Sequence, residues 1–202
     1  GGGSVRRMPR KQVDNVVIDK LLSSGSYADL LRGRTKDGKA VTVRVVSRQD
    51  AAQERRLLQE CKALRDVFHG NVARVLDVKK SPAHLYLVLE DCPLGDLQRL
   101  LRARGGRLHQ GIAWPLMAQI AAGLHALHRV GIPHGDLRPA NVLLAGAPDL
   151  PVPKLAGCSG ARLAGGLEAV TQQAEPFACD LWSLAATTRE TLLGTPPPGG
   201  YG

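Results

Sequence analysis

Apolar positions in the first half of the chain follow the period of β-strands. Residues 51–67 are the exception, because Leu57, Cys61 and Leu64 recur there at three- to four-residue spacing among charged residues, which predicts an amphipathic helix. The first half therefore predicts a β-β-β-α-β-β order. Its strand-like segments are short apolar runs or apolar–polar alternations: residues 16–22, 27–32, 40–46, 72–78 and 84–89.

The second half of the chain is patterned mostly for helices. Apolar residues at helical spacing predict helices over residues 97–104, 110–130 and 179–193. Between them, residues 133–157 predict short strands and loops, and residues 163–177 predict a loop. A strand-rich half followed by a helix-rich half predicts an α+β fold with two lobes.

Composition narrows the classes of function. The 202 residues carry 27 Lys and Arg against 18 Asp and Glu, a net charge of +9. These basic residues are interleaved with acidic ones and lack neighbouring aromatics, so we do not expect a nucleic-acid-binding surface. No apolar run approaches the ~18 residues of a membrane span. The four cysteines are far apart, which favours reduced thiols in a cytoplasmic protein over a disulfide framework.

Both ends of the chain are expected to lie outside the folded domain. Residues 1–15 form a basic, Gly-led tail, which could be a flexible solvated arm or a basic patch near a membrane, and residues 199–202 form a Gly-rich tail. His125, His128 and His134 do not predict a zinc site, because no carboxylate or thiolate completes one at suitable spacing. We therefore expect no bound metal.

The most specific motif follows the long predicted helix: His134-Gly135-Asp136-Leu137-Arg138-Pro139-Ala140-Asn141. It resembles the catalytic loop of protein kinases. Five other segments lie in the order that the family has. Residues 57–60 resemble its αC helix, residues 69–71 the turn after that helix and residues 85–90 its hinge strand. Residues 154–156 resemble the strand before its DFG triplet, and residues 180–184 resemble its αF helix. The αC and hinge segments look most like the tyrosine-kinase branch.

The resemblance covers residues 16–198 and implies a bilobal kinase-like domain. Its N-lobe would span residues 16–91, and residues 92–198 would form a C-lobe truncated relative to a complete kinase domain. Gly135 and Gly157 in this frame also resemble receptor-like serine/threonine/tyrosine pseudokinases, in which a membrane span precedes the domain. The protein would then be the cytoplasmic part of a membrane-anchored protein, attached through sequence outside this chain.

The resemblance implies roles for individual residues. Asp136 matches the catalytic base, and Asn141 matches a magnesium-binding asparagine. Arg44 stands where the family has a lysine, and it could pair with Glu60 of the αC helix. Leu89 falls at the gatekeeper position. The implied nucleotide-binding residues are Leu22, Gly25, Leu30, Thr42, Arg44, Glu60, Leu89, Glu90, Cys92 and Leu143.

Several positions depart from the family pattern. Gly157 replaces the aspartate of the DFG triplet, so the main magnesium ligand is missing, and Gly135 replaces the arginine of the catalytic loop. Ser23 and Ala28 replace two of the three glycines in the phosphate loop. Only 23 residues separate Gly157 from Asp180, which predicts a shortened activation segment. The positions of the family's regulatory spine are kept, with Asp180 as its anchor: Leu64, Val75, His134 and Cys158.

These departures predict a catalytically inactive kinase-like protein. It would act as a signalling scaffold or allosteric regulator by binding other proteins, an active kinase among them. It would require no cofactor, although ATP could bind without Mg²⁺. The alternative is a weakly active ATP-dependent protein kinase that uses Asp136 as its base and Arg44 on the phosphates.

Overall fold

A six-stranded antiparallel sheet forms the first lobe of the computed structural model, which describes residues 11–24, 28–158, 174–196 and 198. The strands lie side by side in the order β1-β2-β3-β4-β6-β5. They are β1 (Lys11–Val13), β2 (Val16–Ser24), β3 (Asp29–Thr35), β4 (Ala40–Ser47), β5 (Val75–Lys80) and β6 (His84–Leu89).

Strand β6 is apolar from Leu85 to Leu89 because both faces of the sheet are covered there. Tyr86 and Val88 point into one cluster, with residues of β2, β3 and β4. Leu85, Leu87 and Leu89 belong to a second cluster that includes Leu57 of the neighbouring helix and Leu143 of the other lobe. The second cluster lies beside the cleft between the lobes and joins them.

Helix α1 (Ala51–Leu64) packs against the sheet. The carboxylate of Asp50 caps it by accepting hydrogen bonds from the backbone N–H groups of Ala52 and Gln53. The helix ends at Leu64 rather than at the predicted residue 67, because the Val67 amide bonds back to the Leu64 carbonyl in a turn.

The described part of the second lobe consists of helices, one hairpin and connecting loops. Its elements are α2 (Leu97–Ala103), α3 (Gln110–Arg129), a 3₁₀ turn (Pro139–Asn141), β7 (Val142–Ala147), β8 (Leu150–Leu155) and α4 (Ala174–Leu193). The buried faces of α2 and α3 meet the hairpin in the largest apolar cluster of the described residues. The predicted α+β fold with two lobes is confirmed.

Further boundaries differ from the predictions: β3 and β5 are shifted towards the C-terminus relative to the predicted 27–32 and 72–78, and two other differences have a clear cause. Lys11–Val13 forms a strand inside the stretch assigned to a tail, since Asp14 adopts a φ of 54° and reverses the chain so that Val13 is buried on the sheet. Helix α4 begins at Ala174 rather than at residue 179. A proline is tolerated in a first helical turn, and Phe177 packs edge-on against His128 of α3, which extends the helix backwards.

In the described part of the chain, no helix combines the length and the apolar character that crossing a membrane requires.

Candidate functional site

A cleft of about 220 Å³ lies between the two lobes. Residues of β2, β3, β4 and α1 line it from the first lobe, and the loop from Asp136 to Asn141, together with Gly157, lines it from the second. Of the predicted site residues, those at the lining are Leu30, Arg44, Glu60, Asp136, Asn141, Leu143 and Gly157. The predicted Gly25 lies outside the described residues.

Asp136 and Asn141 are held together at the floor of the cleft. The Asn141 side chain is placed by the 3₁₀ turn, and its Nδ2 donates to the Asp136 carboxylate at 2.9 Å and to the Asp136 carbonyl at 2.7 Å. The Asp136 amide in turn donates to Nδ1 of His134 at 3.3 Å. The predicted base and its asparagine are therefore adjacent.

The loop that carries Asp136 is anchored from below by α4. The buried carboxylate of Asp180 accepts hydrogen bonds from the backbone N–H groups of His134, at 2.6 Å, and Gly135, at 2.8 Å. It also contacts Nε2 of His128 at 2.7 Å. Asp180 thus occupies the anchoring position that its motif predicts.

Arg44 occupies the centre of the site. Its Nη1 pairs with Glu60 at 3.1 Å, and only 4% of the Glu60 side chain is exposed. Its Nη2 donates to Oδ1 of Asn141 at 2.8 Å. The predicted contact between Arg44 and Glu60 is confirmed, and the contact with Asn141 is an addition that the sequence did not indicate.

Gly157 leaves room for that guanidinium group. A Cβ atom at Gly157 would lie 2.7 Å from Nη1 of Arg44 and still closer to Oδ1 of Asn141, distances that carbon atoms do not tolerate. Its φ of 73° also favours glycine. The Gly157 amide donates to Glu60, so the backbone here is fixed by the same carboxylate that holds Arg44. Arg44 and the missing side chain at 157 are therefore two parts of one arrangement.

The residues at this corner do not fit a magnesium ion. Magnesium binds oxygen ligands, usually with one or two carboxylates. Gly157 supplies no carboxylate, and Oδ1 of Asn141 already accepts a hydrogen bond from a cationic group. Arg44 places a permanent positive charge 2.8 Å from that oxygen, which opposes a second cation there.

Five of the predicted nucleotide-binding residues that the structure describes lie outside the lining of the cleft. Thr42, Leu89 and Cys92 have no exposed surface, and Leu22 is 5% exposed. Burial raises the pKa of the Cys92 thiol to about 12, so it stays protonated at neutral pH. The Glu90 carboxylate accepts from the Arg74 amide and from Lys154. These predicted residues, Glu90 included, are absent from the described lining of the cleft.

Two contacts at the mouth of the cleft were missed by the sequence analysis. The Ser23 hydroxyl, at the end of β2, donates to the carboxylate of Asp96, and Arg99 of α2 donates to the Leu22 carbonyl at 3.0 Å. Asp96 also caps α2 through the Arg99 amide. The other two contacts left no signal in the sequence, because their partners are more than seventy residues apart.

The predicted spine residues lie in the cores on either side of the cleft. Leu64 and Cys158 share the largest cluster, and Val75 packs against it. His134 is fully buried, and this burial lowers the pKa of its imidazole. Its Nδ1 accepts from Asp136, so its Nε2 carries the proton and donates to the Ala156 carbonyl at 3.1 Å.

Comparison with known proteins agrees with this geometry. The family described as "Protein kinase domain" matches residues 16–156. The chain is 29% identical over 205 residues to Serine/threonine-protein kinase ULK3 of Homo sapiens, covering 92% of this chain and 43% of that protein. It is 34% identical over 136 residues to Serine/threonine-protein kinase ATG1c of Arabidopsis thaliana, covering 66% of this chain and 18% of the relative.

Two points follow from these relatives. They are named as serine/threonine kinases, so the predicted likeness to the tyrosine-kinase branch is not supported and is corrected here. The αC and hinge segments that suggested it are short and mainly apolar, which makes them poor markers of a branch.

The chain spans less than half the length of the curated relatives it matches.

Proposed function

The chain belongs to the protein kinase domain family, and from that premise we propose that it is a catalytically inactive member. We propose that it acts as a signalling scaffold or allosteric regulator by binding other proteins, an active kinase among them. One observation carries the proposal of inactivity: the guanidinium of Arg44 bonds Asn141 beside Gly157, at the corner where phosphoryl transfer needs a metal ion.

The energetic argument rests on charge at the transferred phosphoryl group. Metal ions in this family neutralise the charge that develops on the phosphates. A loss of about 4 kcal/mol of this stabilisation slows the reaction roughly a thousandfold. Arg44 does not replace the ion, because its charge is already directed at Glu60 and Asn141.

The test of inactivity is a phosphoryl-transfer assay with ATP labelled on the γ-phosphate. We expect no incorporation into the chain itself or into generic protein substrates, with Mg²⁺ or Mn²⁺. Asp136→Asn is the matched control, because it removes the candidate base and should leave the background unchanged. Incorporation that Asp136→Asn abolishes would contradict the proposal.

The scaffold part of the proposal needs a readout in cells. A cell line lacking the protein should regain its normal phenotype with either wild type or Asp136→Asn, because protein binding does not use the carboxylate as a base. Asp180→Ala is the negative control, since it loosens the anchor of the loop. Rescue by wild type alone would favour catalysis.

The alternative is a weakly active ATP-dependent serine/threonine kinase with Asp136 as its base. Two observations favour it: Asp136 and Asn141 keep their mutual hydrogen bond, and the relatives carry kinase names. The assay above distinguishes the two functions, since this alternative requires incorporation that depends on Asp136.

Our proposal also covers cofactors and location. The proposed function requires no cofactor, and any ATP that binds would do so without a metal ion. The four cysteines form no disulfide, which supports a reducing compartment such as the cytoplasm, with attachment to a membrane only through sequence outside this chain.

A further inference from the structure

We propose that the chain closes the adenine end of its own cleft, and that Thr42 is the residue that excludes a purine. Thr42 lies on β4, fully buried, opposite the segment from Glu90 to Cys92 that joins the lobes. Its hydroxyl accepts a hydrogen bond from the Cys92 amide at 2.8 Å. This inference deepens the proposed function, because it adds a barrier to nucleotide binding that is separate from the metal corner.

The hydrogen bonds already made by the segment from Glu90 to Cys92 support the closure. The edge of adenine offers ring nitrogens that accept and an amino group that donates, so a protein slot that holds it needs an available N–H group. The Cys92 amide is bonded to Thr42, and the Glu90 amide donates to the Arg74 carbonyl at 3.0 Å. A purine that bonds either amide must break an internal bond, so it gains little net free energy from the exchange.

Packing closes the same region. Leu22, Leu30, Leu89 and Leu143 belong to one apolar cluster, and none of these side chains is more than 5% exposed. A flat aromatic ring needs two apolar surfaces with space between them. Leu30 and Leu143 border the cleft, whereas Leu22 and Leu89 do not, so a purine would have to separate packed side chains to reach Thr42.

Two bonds tie the strand above this region to the helix beside it. Ser23 bonds the Asp96 carboxylate, and Arg99 donates to the Leu22 carbonyl at 3.0 Å. Leu22 is thereby held from both ends: its side chain lies in the cluster and its carbonyl is fixed to α2. These bonds hold β2 in place over the closed end, while the Thr42 hydroxyl occupies the Cys92 amide that a purine would need.

Adenosine is the probe that tests the closure, because it carries the purine but no phosphate and needs no metal. We expect wild type not to bind it measurably in calorimetry. Thr42→Ala should bind it measurably, because the freed Cys92 amide regains a hydrogen bond of typical strength, worth a factor of about two to ten in affinity. Thr42→Ser keeps the hydroxyl and is the matched control, which should behave as wild type does.

Several outcomes would overturn the inference. Adenosine binding by wild type would show that the slot is open, and it would leave the lack of phosphoryl transfer untouched. A folded Thr42→Ala that fails to bind, or a Thr42→Ser that binds as Thr42→Ala does, would show that the hydroxyl does not control access.

A second measurement needs no ligand. Thr42→Val has the shape of threonine but cannot accept a hydrogen bond, so the Cys92 amide should exchange its hydrogen at least about tenfold faster than in wild type. Equal protection of that amide in both proteins would contradict the assignment, even if Thr42→Ala does not fold.

Discussion

Arg44 and Gly157 form a matched pair at the scale of single residues. The arginine fork is larger than a lysine ammonium, and the position it fills is the one that a side chain at 157 would enter. An arginine at position 44 together with a side chain at position 157 would crowd this corner. A lysine at position 44 together with Gly157 would leave it partly empty. The loss of the metal-binding carboxylate and the change from lysine to arginine are thus mutually compatible, which neither residue shows by itself.

The first prediction concerns Gly157→Ala. We expect it to lower the free energy of unfolding by about 2–4 kcal/mol, because it combines a strained φ with a clash against Arg44 and Asn141. Urea denaturation measures the change. Gly38→Ala is the matched control, since Gly38 has a φ of 82° but nothing near its missing Cβ, and we expect it to cost about 1 kcal/mol.

If both alanine variants lower the free energy of unfolding equally, the space around Gly157 accommodates a Cβ atom.

By the same argument, Gly157→Asp alone should not restore magnesium binding. The double variant Arg44→Lys with Gly157→Asp removes the clash with the guanidinium, and it is the combination that should bring a Mg²⁺-dependent rise in the melting temperature with ATP, provided that the adenine end is also opened through Thr42→Ala.

The second prediction ranks the cysteines by reactivity. Cys179 is exposed and should react first with a maleimide, whereas Cys61 is half-buried with a thiol pKa raised by that burial and should react slowly. Cys92 and Cys158 are buried and should react only after unfolding. Mass spectrometry of digested, labelled protein reads the order, and early labelling of Cys92 would contradict the closed adenine end.

At the scale of helices and strands, the sequence predicted the order of the elements but not all of their ends. The order of strands and helices was predictable because the period of the apolar residues changes at each boundary, as between 40–46 and 51–67. The start of α4 was not, since Phe177 becomes helical by packing against His128, far away in sequence. Likewise Lys11–Val13 is too short and polar to indicate a strand until β2 pairs with it.

The same reasoning applies to the site. Asp136, Asn141 and Asp180 were found because kinase motifs fix their spacing. The bonds from Arg44 to Asn141 and from Thr42 to Cys92 join positions that are far apart in the chain, and no local pattern reports them. Sequence therefore predicted that Arg44, Asp136 and Asn141 meet in the cleft, but not that their hydrogen-bonding groups satisfy one another.

The third prediction concerns α4 as a support for the loop. Asp180→Ala should lower the free energy of unfolding by about 3 kcal/mol, because it leaves the buried amide of His134 and the amide of Gly135 without their acceptor. Asp149→Ala is the control, since Asp149 is exposed, and its effect should stay within about 0.5 kcal/mol. If both variants match wild type, Asp180 does not anchor the loop.

At the scale of the whole molecule, stability should depend on pH through His134. Its pKa is lowered by burial, although Asp180, Asp136 and Glu60 oppose the shift. Below the ordinary histidine pKa of about 6.5, the unfolded chain takes up a proton that the folded chain does not. The free energy of unfolding should therefore fall as the pH drops from 7 towards 5, by at most about 1.4 kcal/mol per pH unit from this group.

Urea denaturation at several pH values checks this fourth prediction. His134→Gln should flatten the decline, whereas His125→Gln, at an exposed position on α3, should leave the slope as in wild type. A wild-type slope retained in His134→Gln would assign the pH dependence to other groups. The comparison uses slopes, so a uniform loss of stability in His134→Gln does not affect it.

The bonds from Asp180 to the loop also order events during synthesis. His134 and Gly135 leave the ribosome 46 and 45 residues ahead of the carboxylate that they require. Until α4 has emerged, the catalytic loop has no anchor, while the antiparallel sheet needs nothing beyond β6 to pair its strands. The nascent chain should thus carry a formed first lobe before the loop from His134 to Asn141 is anchored, so the floor of the cleft becomes ordered last.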